Sequence, residues 1–149
     1  QMLLLIIAAV VVVVDQFTKY LVTSNMIEGM GIPIIDGIFH LTFILNPGAA
    51  FGILENNRWF FVITAVSVLA VLFYYRHAII SEPRLVQIGI ALFAGGAFGN
   101  LIDRIRTGLV IDFFDLRIWP IFNVADIAIC LGVGLILWST IKTELKITN

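Results

Sequence analysis

At 149 residues, with 60% hydrophobic and 13% charged side chains and a mean hydropathy of +1.05, the chain is far more apolar than soluble domains, which run at about 45–50% apolar and about 25% charged. This excludes an ordinary soluble fold and indicates a single integral membrane domain over residues 1–149. A net charge of -1 and a pI near 6.1 leave no basic footprint for nucleic acid.

The first apolar run starts at Met2 and continues past Asp15 to about Val22, giving a span over 2–22. It resembles the apolar region of a secretory signal peptide, but no basic region precedes it and no small-residue cleavage pattern follows, so we read it as a retained helix. Asp15 and Lys19 lie i,i+4 with the acid first, the favourable order for a helical ion pair that masks both charges near the interface. Lys19 could instead serve a nucleophilic serine, but Ser24, Ser67, Ser81 and Ser139 fall in no recognisable motif.

The 23–58 connection contains "GIFHLTFIL", rich in β-branched and aromatic residues and bounded by Asp36-Gly37 and Asn46-Pro47-Gly48, which predicts a short sheet near the membrane surface. In "NPGAAFG" the small residues Gly48, Ala49 and Ala50 would admit another backbone or a ligand, although the residues alone favour a plain turn before a helix. His40 and His77 stand apart, with no ligand spacing for a metalloprotease. A second span covers 59–75, bracketed by Trp59 and the Tyr74–Tyr75 pair at interfacial positions, and 76–84 reads as a loop.

The third span, 85–102, places Ala91, Gly95 and Gly99 four apart, a small-residue face for a neighbouring helix. Asn100 and Asp103 share a face where that span leaves the bilayer. Asp103 is compatible with an interfacial pair with Arg104, and better with fixing the loop that follows. Beyond Gly108, "LVIDFFDL" is strand-like, and period two puts Val110, Asp112 and Phe114 on one face with Asp115 on the other. "FNVAD" opens the fourth span, 124–141, with Asn123 at the N-cap and Asp126 three residues on, near capping-box spacing; Trp138 lies near its end. Cys130 inside this span reads as a small core hydrophobe, and no disulfide or cysteine metal site is available to it.

Each run approaches the 17–25 residues that cross a hydrocarbon core of about 30 Å, so the expected fold is four transmembrane helices with a small extracytoplasmic β-containing region. The termini and 76–84 share one side, and 23–58 and 103–123 share the other. Arg76, Arg84, Lys142 and Lys146 against Lys19, Arg58, Arg104, Arg106 and Arg117 do not orient the bundle.

By elimination the chemistry rests on carboxylates. An acid at bilayer depth costs on the order of 2.5–3.5 kcal/mol on insertion scales, which makes Asp112 and Asp126, flanking "FFDLRIWPIFNVA", candidates for a catalytic pair. For Asp126, a stabilising place in a first helical turn explains the residue equally well. Two neighbouring carboxyls would share one proton, one acting as base on water and the other as acid. The competing reading is a small proton or cation translocator, against which stands the gathering of acids between the third and fourth spans instead of along a path through the bilayer.

"DQFTK" at 15–19, "NPGAAFG" at 46–52, "GGAFGNLIDR" at 95–104, "GLVIDFFD" at 108–115 and "FNVADIAI" at 122–129 resemble, in order and approximate spacing, the lipoprotein signal peptidase (signal peptidase II) family over nearly the whole chain. The resemblance implies an aspartyl endopeptidase, without metal or cofactor, that removes the signal peptide from diacylglyceryl-modified prolipoproteins just before the lipidated cysteine. It assigns catalysis to Asp112 and Asp126, and site support or substrate binding to Asp15, Lys19, Asn46, Gly48, Asn100, Asp103, Arg104, Gly108, Asn123 and Ala125. It further implies the bacterial cytoplasmic (inner) membrane with the motif loops on the outer face, and inhibition by the cyclic lipopeptide globomycin; membrane lipid as a partner and a monomeric state are further expectations, which the sequence itself does not decide. One departure from the family pattern is the short separation of Asp112 and Asp126.

Overall fold

The computed structural model describes residues 1–48 and 57–147, the side chains of 144, 146 and 147 apart. In chain order the elements are α1 (Met2–Asn25), β1 (Gly31–Ile35), β2 (Phe39–Asn46), α2 (Arg58–Tyr74), α3 (Arg76–Ile79), α4 (Arg84–Arg106), β3 (Val110–Asp115) and α5 (Val124–Ile147). Among the described residues, three helices are long and apolar enough to cross a membrane: Met2–Asn25, Arg84–Arg106 and Val124–Thr143 within α5, with mean hydropathies of 2.1, 1.8 and 2.1. α2 is equally apolar in character but has 17 residues, at the short end of what a bilayer requires.

Several boundaries move relative to the sequence reading. α1 and α4 run on to Asn25 and Arg106, and α5 to Ile147, because helical hydrogen bonding continues past the last apolar residue into polar turns that meet the interface. The 76–84 loop is not wholly irregular, since Arg76–Ile79 closes one helical turn and Gln87 Nε2 then donates to the carbonyls of Ile80 and Glu82 at 2.9 and 2.8 Å.

α4 is the central helix, packed against α5, α1 and α2. Small residues explain the closeness. A Cβ added at Gly95 would lie 2.8 Å from the Ala8 carbonyl oxygen and from Val11 Cβ, and one at Gly89 would lie 2.6 Å from the Gly132 carbonyl oxygen. The face of Ala91, Gly95 and Gly99 is buried as its spacing predicts, and Gly96 adds a second approach, to the backbone of Ala125. With association driven by such packing, the outward flanks are left apolar: Phe17, Trp59, Phe73, Leu131 and Trp138 are exposed on the protein surface. Cys130 belongs to that outward set and is exposed, which corrects its reading as a core residue. In a membrane helix an apolar neighbourhood does not distinguish inside from outside, because lipid solvates apolar side chains as well as protein does.

The sheet is three-stranded and antiparallel in the order β1-β2-β3. β2 pairs with β3 in a register that sets Ile44 opposite Asp112 and Asn46 opposite Val110, with an irregularity between Leu41 and Ile44. β1 turns into β2 through Gly37, whose φ of 69° is a conformation that favours glycine. Phe43 and Phe113 from the sheet pack with Val22 of α1 and with Met26 just past its end, fixing the sheet on the end of the bundle.

Candidate active site

Five elements deliver the polar residues to one place: the last turns of α4, the middle of α1, the paired strands β2 and β3, and the first turn of α5. At its centre is Asn123. Its Nδ2 donates to Asp112 Oδ1 at 2.7 Å and to Asn100 Oδ1 at 3.1 Å, while its backbone N–H donates to Asp126 Oδ2 at 3.1 Å. The Asp126 N–H donates back to Asn123 Oδ1 at 3.0 Å, completing a reciprocal capping box. Asn100 Nδ2 reaches the other Asp126 oxygen at 2.8 Å, and Asn46 Nδ2 the other Asp112 oxygen at 2.9 Å. Helix capping and membership of the site therefore coincide in Asp126, and the short 116–122 segment suffices to bring the two carboxyls to opposite sides of one asparagine.

Asp112 is buried, with 2% of its surface exposed, whereas Asp126 is half-buried. Burial pushes the Asp112 carboxyl up to about 7; the hydrogen bond from Asn46 opposes the rise, the charge of Asp126 adds to it, and the bond from Asn123 and the charge of Lys19 oppose it.

Behind the pair lies a second layer that holds α1 to α4 and α5. Lys19 Nζ meets Asp15 Oδ2 at 2.9 Å, Asp103 Oδ2 at 2.7 Å and Asn100 Oδ1 at 2.9 Å, which occupies all three of its hydrogens. The i,i+4 pair of the sequence reading is present, but it is one side of a buried network. Asp15 Oδ1 accepts the Ala125 N–H at 2.9 Å, so a residue of α1 anchors the first turn of α5. Ala125 is completely buried and its Cβ faces Gly99, leaving no room for a larger side chain. The ion pair of Asp103 is with Lys19, not with Arg104, and its Oδ2 also accepts the Ile111 N–H at 3.3 Å, which is the predicted fixing of the segment that follows α4. Arg104 turns the other way, donating to the Gly48 carbonyl oxygen at 3.2 Å with its guanidinium 4.6 Å from the Phe61 ring centroid. The Gly48 N–H donates to Asn46 Oδ1 at 2.9 Å and so helps to aim Asn46 at Asp112. Ala49, Ala50 and the rest of "NPGAAFG" lie outside the described residues.

Gly108 is not among the carboxyls. It turns α4 into β3 with φ 83°, and a Cβ there would meet the Arg58 side chain at 3.1 Å. Asp115 is buried like Asp112 but bound elsewhere, by Thr42 Oγ1 at 2.8 Å, the Arg117 N–H at 2.8 Å and the Arg117 guanidinium at 2.9 Å. Burial opposes ionisation of Asp115, yet the Arg117 N–H, the Thr42 hydroxyl and the Arg117 guanidinium together hold its carboxyl below the usual range. Gln16 was not singled out by the sequence reading, although it stands inside "DQFTK" next to Asp15. Its Nε2 donates to Asp103 Oδ1 at 2.9 Å, the Gly99 carbonyl oxygen at 3.1 Å and Asp15 Oδ2 at 3.2 Å.

A multi-pass bundle with buried carboxyls beneath a small sheet is the architecture of a bacterial membrane enzyme. Two solved structures described in those words superpose on it: one determined in meso at 2.3 Å resolution, with TM-score 0.87, 37% identity and coverage of 95% of this chain and 88% of that one, and one at 1.9 Å, with TM-score 0.82, 38% identity and coverage of 93% and 92%. The family model for signal peptidase (SPase) II matches residues 7–142. The lipoprotein signal peptidase of Moorella thermoacetica is 46% identical over 135 residues, 90% of this chain and 89% of that protein, and that of Brevibacillus brevis is 49% identical over 135 residues, 89% and 90%. The chain belongs to the signal peptidase II family, the aspartic peptidases that cleave signal peptides from prolipoproteins.

Proposed function

We propose that Asp112 and Asp126 are the catalytic pair, and that the bond they hydrolyse is the one just before the lipidated cysteine of a diacylglyceryl-modified prolipoprotein, at the outer face of the cytoplasmic membrane. The observation that carries the proposal is Asn123, which donates to both carboxyls and so holds them as one unit. Burial favours the protonated form of Asp112, which makes it the acid of the pair, and the more open Asp126 is the base. Asp126 takes a proton from water as its oxygen bonds to the scissile carbonyl carbon, while Asp112 gives its proton to the carbonyl oxygen. The tetrahedral intermediate then collapses, the C–N bond breaks, Asp126 protonates the departing nitrogen and Asp112 recovers its proton from the intermediate's hydroxyl. The remaining motif residues act through these two: Asn46, Asn100 and Asn123 orient them, Asp15, Lys19, Asp103 and Ala125 fix the elements that carry them, Gly48 and Arg104 shape the substrate side, and Gly108 the turn into β3. A cyclic lipopeptide such as globomycin would fill the same cleft and inhibit, and the unit works as a monomer.

The test is substitution in purified, folded protein assayed on a lipidated prolipoprotein. Asp112→Asn and Asp126→Asn should each abolish turnover, and the double variant should be scarcely worse than either, because members of a catalytic unit are grossly non-additive. Substantial turnover by either single variant refutes the pair and leaves Asp126 with its capping role alone.

A further inference from the structure

At the end of the bundle opposite the carboxyls, α1 and α2 diverge over the face of α4 and leave a cavity of ≈ 430 Å³. Its walls are apolar: Leu5 and Ala8 from α1, Leu69 and Phe73 from α2, Ile90 and Ala94 from α4. Among the described residues, Arg76 of α3 is the charged side chain at its edge, and Gln1 lines it as well. The guanidinium of Arg76 lies 4.5 Å from the Phe73 ring centroid and donates one hydrogen bond to the Phe73 carbonyl oxygen at 3.0 Å. That contact orients it at the cavity mouth and leaves its remaining N–H groups available to an anion. Gln87, buried and bonded to the carbonyls of Ile80 and Glu82, closes the cavity's polar end. Tyr74 and Tyr75, both exposed and in contact edge to face, mark the level as that of the bilayer interface.

We propose that this cavity is a binding site for an anionic glycerophospholipid of the leaflet on the side of the 76–84 connection, with an acyl chain between α1 and α2 and the phosphate on Arg76. At ≈ 430 Å³ the cavity has the volume of an acyl chain and is too small for a further membrane-crossing helix, which is about 10–12 Å across. The charge selects the occupant: a cation at headgroup depth above an apolar slot complements a phosphodiester on a hydrocarbon chain, and would repel the basic leading segment of a signal peptide. The site is separate from the carboxyl pair, being lined by none of the residues that hydrogen-bond Asp112 or Asp126. Its occupant would wedge α2, which packs chiefly on α4, at a fixed distance from α1.

Delipidated full-length protein in detergent, titrated with phosphatidylglycerol or with phosphatidylcholine of the same chains and read by native mass spectrometry, tests this. One molecule of phosphatidylglycerol should bind per chain about fivefold more tightly than phosphatidylcholine, the preference that one interfacial arginine supplies. Arg76→Gln should erase the preference, and Ala94→Phe should remove the bound lipid, with turnover of a lipidated prolipoprotein retained in both. Equal binding of the two lipids by the parent, an undiminished preference in Arg76→Gln, or unaltered lipid binding by folded Ala94→Phe overturns the proposal. So does a raised KM for prolipoprotein in Ala94→Phe with lipid binding intact, which would make the substrate's own helix the occupant. If Ala94→Phe fails to fold, the Arg76→Gln comparison decides alone.

Discussion

Lys19 directs its three hydrogens to Asp15, Asp103 and Asn100 and has none left for a nucleophile or a scissile bond. Its removal would leave two buried carboxylates uncompensated, a loss of about 3–5 kcal/mol for a broken buried pair. Lys19→Ala should accordingly lower the unfolding temperature and part of the activity, while the pH profile keeps its form with the Asp112 limb moved to higher pH, because the opposing charge is lost; complete loss of turnover in folded protein would make Lys19 a catalytic group. Asp112 behaves in the opposite sense. Its carboxyl is pushed from 3.8 up to about 7 in the fold, so the native state binds the extra proton between those values and stability falls as pH rises through that window. Thermal unfolding from pH 4 to pH 8 should show that decline in the parent and a flatter curve in Asp112→Asn; parallel curves would remove the claim that burial governs this carboxyl. Asp115 is the internal control: Asp115→Asn weakens the bonds to Thr42 and Arg117 and should cost stability but leave turnover. At this scale the i,i+4 pair and the capping spacing were legible, since both are local. The bridging by Asn123 and the triple contact of Gln16 were not, because they depend on which helices meet.

Between elements, the spacing of backbones decides where the site residues stand. A Cβ at Gly96 would overlap the Ala125 carbonyl oxygen, which cannot yield without moving the first turn of α5 and with it Asn123 and Asp126. Gly96→Val should therefore reduce both the unfolding temperature and turnover. Gly134, with nothing near its added Cβ, provides the contrast: Gly134→Ala should be neutral or stabilising by about 0.5–1 kcal/mol from helix propensity. Melting and assay of the two variants check this, and equal effects would show that helix propensity, not packing, sets the response. The small-residue face of α4 was readable because its period is that of the helix. β1 was not separately readable: all five of its residues, Gly-Ile-Pro-Ile-Ile, are exposed, so no alternation between a buried and a solvated face marks it as a strand. Cys130 was misread for the related reason that lipid erases the compositional difference between the two flanks of a span.

For the molecule as a whole, the carboxyls sit where the bundle meets the sheet, at the end that also receives the chain after α1 and after α4. The exposed apolar flanks of α1, α2 and α5, once in a bilayer, would hold that end at a constant depth. A substrate anchored by its own acyl chains would be held at the same depth, so that its scissile bond meets Asp112 and Asp126 as an intramolecular group would, without the entropic cost of leaving water for the interface. A prolipoprotein peptide lacking the diacylglyceryl group would retain the sequence around the cleavage point but lose that registration. Its kcat/KM should fall by on the order of a hundredfold or more relative to the lipidated form in the same micelles or bilayers, within the range that positioning supplies. The loss should persist at saturating peptide if the lipid aligns the bond as well as recruiting the substrate, because binding energy from a remote group then appears in kcat and not in KM alone. Equal kcat/KM for the two substrates would mean that the polypeptide by itself finds the carboxyls, and the role given to the lipid anchor would have to be abandoned.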